Sequence, residues 1–225
     1  MGKNNWPGFF LVLDGIDGCG KSTQTKKLKD YFIANDIQTL LTAEPSNYEL
    51  GKILRKYLQN PKVPASVDAL LFAADRIEHC NKDILPLLEK GYIVITDRYR
   101  DSSYIYQSIE GRNEGIDDVS MNWIKSINKF SLIPDLTIII DIDPKISLKR
   151  KRTQATKSKN QSLDKFEIDE FQNLIREEFI KIAKNSVVSD EGVHVLIDGN
   201  ESEEQVFKSI LLVIKSYIKR DFKVN

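Results

Sequence analysis

Short apolar runs alternate with longer helix-compatible stretches along the chain. The runs lie at 9–13, 37–41, 93–95, 136–140 and 193–197. Runs with few polar positions are typical of strands whose two faces are both covered by helices. We therefore predict an α/β fold of three layers, in which helices cover both faces of a central five-stranded parallel sheet.

Length and charge narrow the class of protein. The 225 residues suit a single domain spanning 1–225, and 33 basic residues balance 33 acidic ones. A net charge near zero gives no electrostatic support for a nucleic-acid or membrane partner. No apolar run approaches the roughly 20 residues that cross a bilayer, and the N-terminus lacks a secretory signal. We expect a cytoplasmic protein with no nucleic-acid and no membrane partner.

A glycine-rich segment follows the first predicted strand and precedes a helix predicted at 21–34. Gly15, Gly20, Lys21 and Ser22 fit the pattern G-x-x-x-x-G-K-[ST]. In such a loop backbone N–H groups hold phosphates, the lysine reaches the β- and γ-phosphates, and the serine can bind Mg²⁺. We predict ATP and Mg²⁺ as cofactors in a P-loop kinase fold. The predicted nucleotide-binding residues are Gly15, Ile16, Asp17, Gly18, Cys19, Gly20, Lys21, Ser22 and Thr23.

The loop alone does not identify the reaction. A GTPase should carry Asn-Lys-x-Asp, but neither Asn81-Lys82 nor Asn128-Lys129 has Asp at the fourth position. Shikimate-type and adenylate-type kinases stay open on this evidence, so the acceptor must be inferred from other residues.

A helix predicted at 67–88 carries a candidate base-binding pair. Phe72 and Arg76 are four residues apart and share a helix face, where a ring can stack on a base and a guanidinium can bond its edge. Spacing alone leaves open a core phenylalanine beside a solvated arginine.

Four features together resemble the thymidylate kinases. They are the loop with Asp17, the helix Phe-Ala-Ala-Asp-Arg at 72–76, the run from 97 to 107, and the strand entered through Pro-Asp-Leu-Thr at 134–137. The match runs in order from residue 9 to about residue 183. The resemblance implies transfer of the γ-phosphate of ATP to dTMP, giving dTDP and ADP for dTTP synthesis, by a homodimer.

The resemblance also implies roles for acceptor-binding residues. Asp17 would contact the 3′-hydroxyl of the acceptor, Phe72 would stack on thymine, and Arg76 would bond the O4 edge. Ser103 would help to read the pyrimidine, and Tyr106 would crowd the 2′-carbon and so favour deoxyribose.

Further residues of the run 97–107 resemble the family's phosphate and metal site. Arg98 would hold the acceptor phosphate, Gln107 would join the acceptor-binding set, and Asp97 would bind Mg²⁺ together with Ser22. The predicted catalytic residues are Lys21, Asp17, Arg98 and Arg150.

The family divides by the source of its catalytic cation, which is either an arginine after the loop acid or a basic residue of a lid. Gly18 follows Asp17 here, so the chain resembles the lid type. The lid is predicted at about 150–165, where residues 153–164 are polar and lack hydrophobic periodicity. Arg150 and Arg152 are both candidates, and Arg150 is preferred.

One position departs from the family pattern Thr-Arg-Glu-Pro, because this chain has Ala43 before Glu44. Loss of a charged contact to phosphate weakens binding by about 1.5–3 kcal/mol unless another cation replaces it. Arg55 and Arg100 are the candidates for the replacing cation.

Two alternatives to a dTMP kinase remain: a kinase of another pyrimidine nucleotide or a deoxynucleoside, and a switch protein that hydrolyses nucleotide slowly.

Overall fold

The computed structural model describes residues 6–60, 62–155, 169–185 and 192–218. Five strands form one sheet in the order β2-β3-β1-β4-β5, and every neighbouring pair is parallel. This confirms the predicted sheet, with β2 two residues further along the chain than expected. The strands are β1 (Phe9–Asp14), β2 (Thr39–Ala43), β3 (Ile93–Asp97), β4 (Leu136–Asp141) and β5 (His194–Asp198).

Helices connect the strands and cover the sheet. The helix predicted at 67–88 is one helical path of three segments, with a π-helical turn at Cys80–Ile84 between α3 and α4. Pro86 lies in the first turn of α4 and has no N–H to donate, so a regular α-helical hydrogen bond is missing there. The α-helices are α1 (Lys21–Ala34), α2 (Glu49–Leu58), α3 (Ala65–His79), α4 (Leu85–Glu89), α5 (Arg100–Asn113), α6 (Met121–Ile127), α7 (Pro144–Ala155), α8 (Asp169–Asn185) and α9 (Glu203–Tyr217).

The core occupies both faces of the sheet. Leu11 and Leu13 of β1 belong to a buried cluster with side chains of α1, α5, α8 and α9, whereas Phe10 and Val12 pack with the π turn and α4. Consecutive strand residues point to opposite faces, so a central strand between two helical layers is apolar at every position. Of the helices in the described ranges, none combines the length and the apolar character that a bilayer span requires.

Candidate active site

The phosphate loop connects the end of β1 to the start of α1. Gly15, Gly18 and Gly20 all have positive φ angles, of 138°, 74° and 102°. A Cβ at Gly15 would lie 2.7 Å from the backbone oxygen of Ile140, so only glycine fits that turn. Lys21 is buried, and its Nζ donates to the backbone oxygens of Gly15 at 2.9 Å and Ile16 at 2.8 Å. The backbone of the loop therefore wraps around the side chain of Lys21.

A donor cavity of about 540 Å³ opens beside this loop. Of the nine predicted nucleotide-binding residues, Gly15 and Ile16 lie behind the cavity and the other seven line it: Asp17, Gly18, Cys19, Gly20, Lys21, Ser22 and Thr23. The segment after β5 and the first residue of α9 add Glu201, Ser202 and Glu203 to the lining, and the sequence did not predict these three. Their only signal was a polar segment after the fifth predicted strand.

The two predicted metal ligands lie together at the donor cavity. The Oγ of Ser22 donates to Oδ2 of Asp97 at 2.5 Å. Mg²⁺ in proteins binds one or two oxygen side chains and completes its coordination with substrate phosphates and water. A hydroxyl and a carboxylate beside a phosphate loop fit that requirement.

Arg98 lies between the donor cavity and a second cavity. Its φ of 70° turns the chain sharply after β3, and its guanidinium forms an ion pair with Asp17 and donates to Ser102 Oγ at 2.9 Å. Burial opposes the charge of Arg98, but Tyr106 and Asp17 keep its pKa well above the usual value. The guanidinium therefore stays charged where two anionic substrates would meet.

Asp14 is a further buried acid that the sequence analysis did not single out. It accepts hydrogen bonds from the N–H of Gly15 at 2.9 Å and from Ser102 Oγ at 2.7 Å. Burial raises the pKa of Asp14 to about 6, although Arg98 and Lys21 oppose the shift. Asp14 thus links the phosphate loop to α5 and, through Ser102, to Arg98.

The second cavity, of about 200 Å³, is the candidate acceptor cavity. The structure brings all seven predicted acceptor-binding residues to its lining: Asp17, Phe72, Arg76, Arg98, Ser103, Tyr106 and Gln107. They come from the phosphate loop, α3, the end of β3 and α5. Asp17, Glu44 and Arg98 line both cavities, so the two sites share a wall.

Arg76 is buried at 1% exposure, so the alternative of a solvated arginine is wrong. Its Nε donates to Glu44 at 2.8 Å, its Nη1 to Asn128 at 2.5 Å, and its Nη2 to the backbone oxygen of Tyr99 at 3.3 Å. One N–H of Nη1 has no partner among the described residues. No sequence pattern marks Glu44 or Asn128 as partners of Arg76, because these contacts span 32 and 52 residues.

The lid prediction lies partly outside the described residues, which omit 156–168 and the side chain of Arg152. Arg150 lines the donor cavity and donates from Nη1 to the backbone oxygen of Gly199 at 3.1 Å. A Cβ at Gly18 would lie 2.9 Å from the backbone oxygen of Ser147, which leaves no room for a loop arginine.

The position of the missing arginine, Ala43, lines the donor cavity. Of the two proposed replacements, Arg55 donates to the backbone oxygen of Pro45 at 2.7 Å, beside the acceptor cavity. Arg100 is buried, and neither Arg55 nor Arg100 lines either cavity. Arg55 contacts the lining of the acceptor cavity through Pro45, and on this contact we retain it as the candidate.

Comparison with known proteins agrees with this arrangement. The sequence pattern of the family described as thymidylate kinase matches residues 13–210. The chain belongs to the thymidylate kinase family. Similar relatives include a probable thymidylate kinase of Staphylothermus marinus, 37% identical over 218 residues that cover 97% of this chain and 99% of the relative.

Two further relatives extend the similarity within the thymidylate kinase family. A probable thymidylate kinase of Pyrococcus horikoshii is 39% identical over 201 residues, covering 83% of this chain and 92% of that protein. A thymidylate kinase of Maridesulfovibrio salexigens is 33% identical over 222 residues, covering 96% of this chain and 99% of that protein. The resemblance inferred from the sequence is thereby confirmed.

Proposed function

We propose that this protein transfers the γ-phosphate of ATP to dTMP, giving dTDP and ADP for dTTP synthesis. The observation that carries the proposal is the shared wall of the two cavities, which Asp17, Glu44 and Arg98 form. Donor and acceptor phosphates bound in adjoining cavities can approach in line. The names of the relatives point to the same acceptor.

The donor side binds and orients the triphosphate. Backbone N–H groups of the phosphate loop and Lys21 hold the phosphates. Ser22 and Asp97 would hold Mg²⁺, which when bound neutralises part of the negative charge of the phosphates. A phosphate oxygen of dTMP forms a bond to the γ-phosphorus as the bond from that phosphorus to the β-phosphate oxygen breaks. Positioning and charge stabilisation supply most of the rate.

The acceptor side recognises base, sugar and phosphate separately. Phe72 stacks on thymine, and the remaining N–H of Arg76 donates to its O4. Asp17 accepts from the 3′-hydroxyl, and Tyr106 leaves no space for a 2′-hydroxyl. Ser103 and Gln107 complete the pyrimidine site from α5.

Cations around the phosphates complete the proposal. Arg98 holds the acceptor phosphate, and Arg55 takes over the role of the arginine missing at Ala43. Arg150, at the base of the lid predicted at about 150–165, supplies charge on the donor side. Closure of that lid would exclude water from the transfer.

We also propose a single kinase domain, a cytoplasmic location and a homodimer. Ile53 and Tyr57 of α2 are 40% and 43% exposed, and Leu70 of the neighbouring α3 is 51% exposed. Exposed apolar side chains on two packed helices support an interface with a second copy of the chain. Sedimentation equilibrium should give a dimer, and Leu70→Glu should give a monomer. A monomeric native protein would exclude the homodimer.

A coupled ADP-release assay tests the function. ADP release should depend on dTMP, and dTMP should be turned over faster than dUMP, UMP, dCMP or thymidine presented side by side. Better turnover of another acceptor would favour the rival pyrimidine or deoxynucleoside kinase. Release of ADP that does not respond to any acceptor would favour the slow hydrolytic switch.

A further inference from the structure

One face of α3 carries two functional pairs. Phe72, Asp75, Arg76 and His79 are spaced i, i+3, i+4 and i+7, so they lie along the same side of the helix. Phe72 and Arg76 line the acceptor cavity. Asp75 and His79 are fully buried and do not line it. The second pair instead contacts residues 44–48, which we call the acceptor loop.

Asp75 binds the acceptor loop with both carboxylate oxygens. Oδ2 accepts the backbone N–H of Ser46 at 2.7 Å, and Oδ1 accepts the hydroxyl of Ser46 at 2.5 Å. Ser46 is itself buried, and its Oγ accepts the N–H of Tyr48 at 3.2 Å. A buried carboxylate is retained only where donors satisfy it, and here the donors come from the acceptor loop.

The packing around Asp75 leaves the loop little room to shift. A Cβ at Gly51 would lie 2.9 Å from Oδ1 of Asp75 and 2.1 Å from the backbone oxygen of Ser46. The first turn of α2 therefore presses the loop directly against α3.

His79 holds the other end of the same segment. Its Nε2 lies 2.8 Å from Oγ1 of Thr42, and its Nδ1 lies 3.4 Å from Oε1 of Glu44. The second oxygen of Glu44 accepts from Arg76 at 2.8 Å. Glu44 and Pro45, which line the acceptor cavity, are thus fixed between two anchors on α3.

We propose that Asp75 is a positioning residue for the acceptor, acting through Ser46. By fixing the acceptor loop to the helix that carries Phe72 and Arg76, it sets the spacing between two parts of one cavity wall. The inference rests on the proposed function, because it takes dTMP to bind in this cavity. Asp75 itself touches no substrate.

Asp75→Asn tests this role with little change in shape. One side-chain oxygen becomes an NH₂ group, which can donate to the Ser46 hydroxyl but cannot accept from it. The bond from that hydroxyl to a buried carboxylate is therefore replaced by a weaker bond between neutral groups. We expect KM for dTMP to rise about tenfold, the ratio that corresponds to about 1.4 kcal/mol for a hydrogen bond to a charged group. KM for ATP should stay within about twofold, because neither Asp75 nor Ser46 lines the donor cavity.

Asp83→Asn is the matched control. Asp83 accepts from the Tyr48 hydroxyl at 2.7 Å, further along the same helical path and at the far end of the acceptor loop. The KM of the Asp83→Asn variant for dTMP should stay within about twofold of the native value, since the amide oxygen of the asparagine still accepts the hydrogen bond from the Tyr48 hydroxyl. Equal effects of the two variants would overturn the proposal, as would an unchanged KM for dTMP in Asp75→Asn.

Ser46→Ala provides a second route to the same contact if Asp75→Asn does not fold. It removes the hydroxyl partner of Asp75, and it should also raise KM for dTMP selectively. If both variants are folded, their combined effect should be smaller than the sum of the single effects. A parallel rise in both KM values, or full additivity, would assign Asp75 a purely structural role.

The native protein separates this inference from the proposed function. Absence of dTMP turnover by the native protein would overturn the proposed function, and this inference with it. Normal turnover of dTMP, combined with an unaffected Asp75→Asn variant, would overturn the inference alone.

Discussion

The donor and acceptor cavities adjoin, yet they hold their polar groups in different ways. In the donor cavity the consecutive residues 17–24 supply nearly half of the lining, and Lys21 bonds to backbone oxygens five and six residues away. In the acceptor cavity Arg76 is held by side chains that are distant in sequence, Glu44 and Asn128. The donor site is thus a local structure, whereas the acceptor site depends on the whole sheet and its helices.

This difference predicts how each site responds to the substitution of one side chain. A local site can lose a side chain and keep its fold, because the backbone of the loop supplies much of the binding. A site built from buried side chains that hydrogen-bond to one another should lose stability and substrate binding together. Removing one side chain leaves its buried partner without a hydrogen bond or an ion pair. The substitutions below separate the two cases.

Arg76→Ala should have the largest effect. It leaves the buried carboxylate of Glu44 without its guanidinium partner, which costs about 3–5 kcal/mol of unfolding free energy. KM for dTMP should rise at the same time. Urea denaturation measures the first effect and initial rates the second. Arg112→Ala, at an exposed arginine of α5, should change stability by less than about 0.5 kcal/mol. Equal stability of the two variants would contradict a dependent acceptor site.

Lys21→Ala should separate activity from stability. We expect kcat to fall about 10³-fold through loss of a charge that stabilises the transferring phosphoryl group. The unfolding free energy should change by only about 1 kcal/mol, because the loop backbone remains. Lys26→Ala, at an exposed position of the same helix, should keep native kcat. A stability loss as large as that of Arg76→Ala would remove the distinction between the sites.

Asp14→Asn tests the link between the two sites through pH. The pKa of Asp14 is raised from 3.8 to about 6, so the folded protein binds this proton more tightly than the unfolded chain does. The native protein should therefore lose stability relative to the variant as pH rises from about 4 to about 6, by at most about 3 kcal/mol. Urea unfolding of both proteins across that window measures the difference. A pH-independent difference would show that Asp14 has an ordinary pKa.

Ala43→Arg should have the smallest effect. Position 43 lines the donor cavity and precedes Glu44, which lines both cavities, so an arginine there can reach the acceptor phosphate. We expect dTMP to bind about tenfold more tightly, which corresponds to about 1.4 kcal/mol. Isothermal titration calorimetry measures the affinity. Unchanged affinity would indicate that Arg55 already fills the role, and Arg55→Ala in the same background should then weaken binding.

The same contrast explains what the sequence could predict. The parallel sheet and the placement of the phosphate loop between β1 and α1 follow from apolar runs and from adjacent residues, and the structure confirms both, with β2 shifted by two residues. Phe72 and Arg76 could be paired because four residues make about one helical turn, whereas their proposed role came from the family resemblance. The hydrogen-bond partners of Arg76 could not be found this way, because Glu44 follows β2 and Asn128 follows α6. Their proximity depends on how β2, α3 and α6 pack.

Asp14 and Asp75 show a second limit. Each is a single acid within an otherwise ordinary strand or helix, and neither has a spacing pattern that marks it. Their partners are backbone N–H groups and serine hydroxyls, which occur throughout the sequence. Only burial in the folded chain distinguishes these acids from solvated ones.

The contact between Gly18 and Ser147 constrains how this sequence can evolve. An arginine at position 18 would have to adopt a φ of 74°, and its Cβ would meet the Ser147 backbone at 2.9 Å. Because the obstacle is backbone, no exchange of the Ser147 side chain removes it. A lineage with this loop can therefore acquire a loop arginine only after α7 has moved away. The two ways of supplying a catalytic cation are then separated by a shift of a whole helix, which would keep them apart as distinct branches of descent.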